Sequence, residues 1–151
     1  MHAAYKGLAH AIAGLVAFQA AVMVFAISGL YVWVQDGNTL QASDMGEDGG
    51  LEFTGVIGFM LHGMVGMILI PLVALVLLIV SFFAKVPGGV VWAAVVLGLV
   101  VLQVALGLFG HSTPYAGLLH GLNAMVLFVV ALQAGRRVPR SQPAEADRVA
   151  A

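Results

Sequence analysis

Two histidines, His62 and His120, lie inside long apolar segments, and each has glycine or alanine one helical turn away. An ionisable ring at membrane depth needs a partner, because nothing in hydrocarbon replaces the water it has lost. Small neighbours leave room beside each ring for something flat and bulky. Two imidazoles facing each other across a helix bundle form the donor set that holds a haem iron by both axial positions.

The composition sets the environment of that pair. The chain has 151 residues, of which 62% are hydrophobic and 9% charged, with a mean hydropathy of +1.05. A water-soluble domain carries roughly a quarter charged residues, so these values mark an integral membrane protein whose first partner is the lipid bilayer. Nothing in the charge pattern points to nucleic acid. There is no cysteine, which excludes disulfides, iron–sulfur ligation, thiol catalysis and covalent c-type haem attachment. The apolar stretch after Lys6 is longer than a signal-peptide core and ends in no small-residue cleavage pattern.

Four segments are long enough to cross a bilayer, which takes roughly 20 apolar residues. They run over about 7–34, 53–83, 88–110 and 115–135. Pro71 is expected to kink the second. Pro87 suits the first turn of the third. The links at 84–87 and 111–114 are short, and short links join antiparallel neighbours. The expected fold is therefore all-α, an up-and-down four-helix transmembrane bundle over 1–137 with a disordered tail over 138–151. The Gln35–Glu52 link is polar and glycine-rich and reads as a surface loop or small lid.

Charge orients the bundle. Lys6, Lys85, Arg136, Arg137, Arg140 and Arg148 all fall at one end of the four spans. Asp36, Asp44, Glu47, Asp48 and Glu52 fall at the other. The positive-inside rule then predicts both termini in the cytoplasm and the acidic loop outside the cell membrane.

Helix rise places the two histidines at one level. His62 follows Phe53 by nine residues and His120 follows Tyr115 by five, roughly 13 Å and 8 Å below the outer end at ~1.5 Å per residue. Gly55, Gly58 and Gly66 share the His62 face, and Ala116, Gly117 and Ala124 share that of His120. Ala105 and Gly107 add small positions on the third span. Small faces also serve plain helix packing, and a lone buried histidine often does no more than hydrogen-bond a neighbouring helix. His111 lies in the outer link, where it contacts a haem propionate, caps a helix or does nothing. His10 has no histidine at its own depth. Met60, Met64 and Met67 surround His62 as core filler, or as soft ligands to haem or copper.

The segment Leu102-Gln103-Val104-Ala105-Leu106-Gly107, a short link, and then Leu118-Leu119-His120-Gly121-Leu122-Asn123-Ala124 resembles the third and fourth helices of a half-unit of haem A synthase. Each half of that eight-span family is a four-helix bundle with haem-ligating histidines on its second and fourth helices. The resemblance implies that fold and places His62 and His120 at the ligand positions. It is strongest over 101–128. The family carries an acid three positions before the second-helix histidine, where this chain has Phe59, and a basic residue after it, where this chain has Gly63. The outer-loop cysteine pair of bacterial members is absent, and the chain has half the usual length.

The expected function is thus a membrane haem-b protein. His62 and His120 are its axial ligands, and Gly58, Phe59, Gly66, Gly117, Ala124 and His111 lie around the group, in the service of electron transfer or haem handling. Two axial nitrogens leave iron no open position, which favours electron relay over catalysis. The alternatives are a haem A synthase-like enzyme acting as a homodimer, and a cofactor-free subunit of a larger respiratory or assembly complex. A histidine–methionine copper or zinc site is a further alternative.

Overall fold

In a computed structural model the structure describes residues 1–45, 50–110 and 112–138. Four long helices account for most of them: α1 His2–Gln35, α2 Ile57–Ala84, α3 Gly89–Gly110 and α4 Pro114–Arg136. All four are long and apolar enough to cross a membrane. Their outward-facing side chains are largely aliphatic and aromatic, as a surface against lipid requires.

Local chemistry sets the helix ends. α1 stops at Asp36, followed by Gly37 with φ +93°, a conformation glycine adopts at little cost. Thr113 is extended and Pro114 opens α4 from its first position. Pro87 does not enter α3. Pro87 and Gly88, with φ +68° at Gly88, form the centre of a turn closed by the Gly89 N–H on the Val86 carbonyl at 2.8 Å. That is the Pro-Gly order of a type II turn, and it competes with helix entry. Pro71 does not end α2. The helix relaxes into a π turn over Val65–Leu69 just before it, where the Ile70 N–H reaches back to the Val65 carbonyl. A wider turn is one way a helix absorbs the donor that proline lacks. The loop between α1 and α2 includes a short 3₁₀ turn, Ala42–Met45. Residues 46–49 and 139–151 lie outside the described residues, and with them most of the expected tail.

The helices pack in a ring, α1 beside α2, α2 beside α3, α3 beside α4 and α4 beside α1. Consequently α2 and α4 face each other across one diagonal. The buried apolar core fills the end bearing Lys6, Lys85, Arg136 and Arg137, hereafter the basic end. It comprises Tyr5, Ile12 and Val16 of α1, Leu77 of α2, Val96 and Val100 of α3, and Leu127 and Ala131 of α4. The Tyr5 hydroxyl donates to the Gly89 carbonyl at 3.0 Å across the bundle. The Arg137 guanidinium sits 4.6 Å from the Trp92 ring centroid at the same end. Above this core, toward the acidic loop, the interior turns polar.

Candidate functional site

That polar layer consists of Gln19 from α1, His62 from α2, Gln103 from α3, and His120 and Asn123 from α4. The His62 and His120 rings approach to 6.0 Å between centroids, with 54° between their planes. The two rings therefore meet across the bundle. Both are half-buried.

Each imidazole is held by a glutamine on the neighbouring helix of its own hairpin. His62 Nδ1 donates to the Gln19 carbonyl at 3.2 Å, while Gln19 Nε2 donates back to the His62 carbonyl at 2.7 Å. His120 Nδ1 donates to the Gln103 carbonyl at 3.0 Å, and Gln103 Nε2 donates back to the His120 carbonyl at 3.0 Å. A carbonyl only accepts, so both Nδ1 atoms carry their hydrogen. In the neutral ring the lone pair is then on Nε2. Among the described residues neither Nε2 has a protein hydrogen-bond partner.

The two clasps are copies. Around the histidines the chain reads Leu61-His62-Gly63-Met64-Val65-Gly66-Met67 and Leu119-His120-Gly121-Leu122-Asn123-Ala124-Met125. Around the glutamines, Gln19, Ala21 and Phe25 share their spacing with Gln103, Ala105 and Phe109. The α1–α2 and α3–α4 hairpins therefore repeat one design. Sequence reasoning missed Gln19 altogether and gave Gln103 no role. The repeat was the available signal, because two glutamines and two histidines in matching words mark paired partners.

The two words differ at three positions, Met64/Leu122, Val65/Asn123 and Gly66/Ala124, and the second of these bears on the glutamines. Asn123 Nδ2 donates to Gln103 Oε1 at 2.6 Å and to the Leu99 carbonyl at 3.0 Å, so the second glutamine is satisfied at both ends. The corresponding residue in the first copy is Val65. Gln19 is only 8% exposed and its Oε1 has no partner. The π turn also begins at Val65.

The small residues divide between two jobs. A Cβ at Gly58 would collide with the Val22 carbonyl of α1, and one at Gly66 would come within 2.6 Å of Gln19 Nε2. These glycines therefore let α1 approach α2 and let Gln19 reach His62, rather than leaving space for a flat group. Gly117 faces Gly110 of α3, where a Cβ would lie 3.7 Å from the Gly117 Cα. Gly107 lies under the His120 ring, with a Cβ there 3.1 Å from Cε1. Ala124 is partly buried against the apolar core. Phe59, one turn before His62, is half-buried and meets Phe53 edge-on at 6.3 Å between centroids. His111 lies outside the described residues.

Met60, Met64 and Met67 correct the sequence reading. They are 54%, 56% and 54% exposed, on the outward face of α2, so they neither fill the core nor reach the imidazole gap. The reason is angular, since His62 and Gly58 point inward and residues two away from either turn outward. His10 sits far from the layer. Its Nδ1 donates to the Lys6 carbonyl at 2.7 Å and its ring rests on Gly135. No group of three or more histidine or acidic side chains able to hold a metal ion occurs among the described residues.

Comparison with described protein families, curated proteins and solved structures finds no match for the chain.

Proposed function

We propose that the chain is a membrane haem-b protein in which His62 and His120 are the axial ligands, serving electron transfer or haem handling. One observation carries this reading: two imidazoles 6.0 Å apart across the bundle diagonal, each with Nδ1 donated to a carbonyl. Two metal–imidazole bonds of roughly 2 Å and two half-rings of about 1 Å each add to roughly 6 Å between centroids. His62 and His120 would hold the group, and the 54° between their planes is compatible with that role. A carbonyl that accepts from the far nitrogen is the usual companion of a ligating histidine, because it holds the ring's tautomer and direction. When bound, the iron would cycle between ferric and ferrous states by single-electron exchange. The chain's own residues hold the two rings through the glutamine clasps, between helices that are apolar along most of their length.

The resemblance to a haem A synthase half-unit supports ligands on the second and fourth helices. Phe59 in place of the family's acid supports redox relay over modification of the haem. The segregation of basic from acidic residues supports a cell-membrane protein with both termini cytoplasmic. Absorption spectroscopy of the detergent-purified protein tests the reading. One low-spin, six-coordinate b-type haem per chain is expected. His120→Ala is expected to lose it and His62→Ala to bind it much more weakly, while His10→Ala keeps it. A colourless wild type that takes up no added haem, or loss of haem on His10→Ala alone, refutes it.

A further inference from the structure

The two clasps repeat one design, yet they do not hold their histidines equally. His120 belongs to a closed network. Its ring donates to Gln103, whose amide returns the bond, and the Gln103 oxygen takes a second hydrogen from Asn123 at 2.6 Å. Asn123 is anchored in turn to Leu99. His62 has the same two reciprocal bonds and nothing behind them. Its Nδ1 bond is longer than that of His120, 3.2 Å against 3.0 Å, and its return bond is shorter, 2.7 Å against 3.0 Å, so the difference between the clasps lies behind the glutamines and not in the bond lengths. Gln19 Oε1 is buried with no partner, because Val65 stands where Asn123 stands in the other hairpin. A buried polar network gains rigidity when every member is satisfied and loses it when one is left open.

The backbone beneath the two rings differs in the same sense. His120 lies in an unbroken stretch of α4. His62 is followed within three residues by the π turn Val65–Leu69, with Gly63 and Gly66 on either side of its start. Glycine within a helix costs roughly 1 kcal/mol each against alanine, and π turns inside α-helices mark places where a helix shifts register. Gly63 has its counterpart in Gly121, and a Cβ at either meets nothing within 4 Å, so the π turn and Gly66 carry the difference between the two helices.

We infer that His62 is the exchangeable axial ligand and His120 the fixed one, and that the position His62 vacates, beside Phe59, accepts a small neutral diatomic ligand. The inference rests on the haem reading for its ligand chemistry. The inequality of the two clasps does not. An apolar ring one turn away favours a neutral diatomic over an anion, since nothing beside Phe59 compensates a buried charge.

The test uses carbon monoxide on the reduced, haem-loaded, full-length protein, followed by its absorption spectrum. Wild type is expected to bind carbon monoxide with loss of one histidine. His62→Ala should keep haem at saturating haem and bind carbon monoxide at least tenfold tighter, whereas His120→Ala should not retain haem. Val65→Asn supplies the missing partner of Gln19 and should weaken carbon monoxide binding roughly threefold to fivefold, the worth of one membrane hydrogen bond. Asn123→Val should shrink the difference between the two histidines. Indistinguishable behaviour of the two histidine variants, or a wild type inert to carbon monoxide, overturns the inference. Hydrogen exchange on the haem-free protein supplies a second readout, which also stands if Val65→Asn fails to fold. Amides of Val65–Leu69 should exchange at least tenfold faster than those of 123–127, and equal rates overturn the inference. A wild type that takes up no haem is recognised before carbon monoxide is added and ends the haem reading instead, leaving the exchange rates to decide whether the clasps are unequal.

Discussion

Gln103 and His120 hold each other by two opposed hydrogen bonds, each 3.0 Å long, in which a ring nitrogen and a side-chain amide each donate to the other residue's main-chain carbonyl. The arrangement locks helix register as well as ring direction, since one residue cannot slide along its helix without breaking both bonds. Gln19 and His62 repeat it with one amide oxygen left over. The two glutamines should therefore differ in worth. Gln103→Leu removes the bond to the His120 carbonyl and also strips Asn123 of an acceptor, whereas Gln19→Leu removes one bond and one unsatisfied oxygen. We expect Gln103→Leu to cost about 1–2 kcal/mol of stability and Gln19→Leu at least about 0.5 kcal/mol less. Thermal unfolding in one detergent measures both, and an equal or inverted order counts against the network as described.

Gly58 tests the close approach of α1 and α2. Any side chain there meets the Val22 carbonyl, and backbone does not move aside as a flexible side chain does. Gly58→Ala should destabilise by about 1–3 kcal/mol through overpacking. Gly63→Ala, one residue beyond His62 with open space around it, should lie within about 0.5 kcal/mol of wild type. Melting temperatures of the two variants separate a packing role for Gly58 from a general need for glycine in this helix.

The orientation is tested from outside the bundle. Every described basic residue in and beside the helices, Lys6, Lys85, Arg136 and Arg137, sits at the end opposite Asp36 and Glu52. A reporter that works only in the cytoplasm should be active when fused after Arg137, and one that works only outside should be active when inserted after Asn38. The reverse pattern reverses the topology.

Much of this architecture was legible because hydropathy and length dominate in lipid. The spans read as 53–83 and 88–110 appear as Ile57–Ala84 and Gly89–Gly110. Opposed histidines on the second and fourth helices were equally legible, since depth follows from helix rise once the ends are placed. The glycines were not. Gly58 and Gly66 read as room for a flat group, and the same pattern serves a helix pressed against its neighbour, so residue size alone could not choose between the two. The methionines misled for a related reason. Proximity in sequence to His62 says nothing about face, and Met60 and Met64 lie two residues from it, on the opposite side of the helix. Gln19 escaped because its partner is 43 residues away, and only the comparison of the two halves of the chain with each other exposes the pairing.

Phe59 bears on what chemistry the residues around His62 can do. The resembled synthase carries an acid three positions before its second-helix histidine, and here that place is Phe59, half-buried and in edge contact with Phe53. A phenyl ring neither transfers a proton nor stabilises positive charge as it develops on a substrate carbon. The repeat offers no substitute, since the residue matching Phe59 in the second hairpin is Gly117. Glu52, the carboxylate nearest in sequence among the described residues, is exposed in the loop ahead of α2. Cells that express this chain and supply haem b and haem o should therefore contain no haem a that depends on it, as read by chromatography of extracted haems. Phe59→Glu should not create that activity, because the residue after His62 is Gly63 and no basic side chain stands beside the new carboxylate in the sequence. Under the proposed haem reading it should instead lower the affinity for haem by at least tenfold, because it places a charge one helical turn from His62. Haem a appearing in proportion to the wild-type chain would move the assignment from electron relay to synthase chemistry.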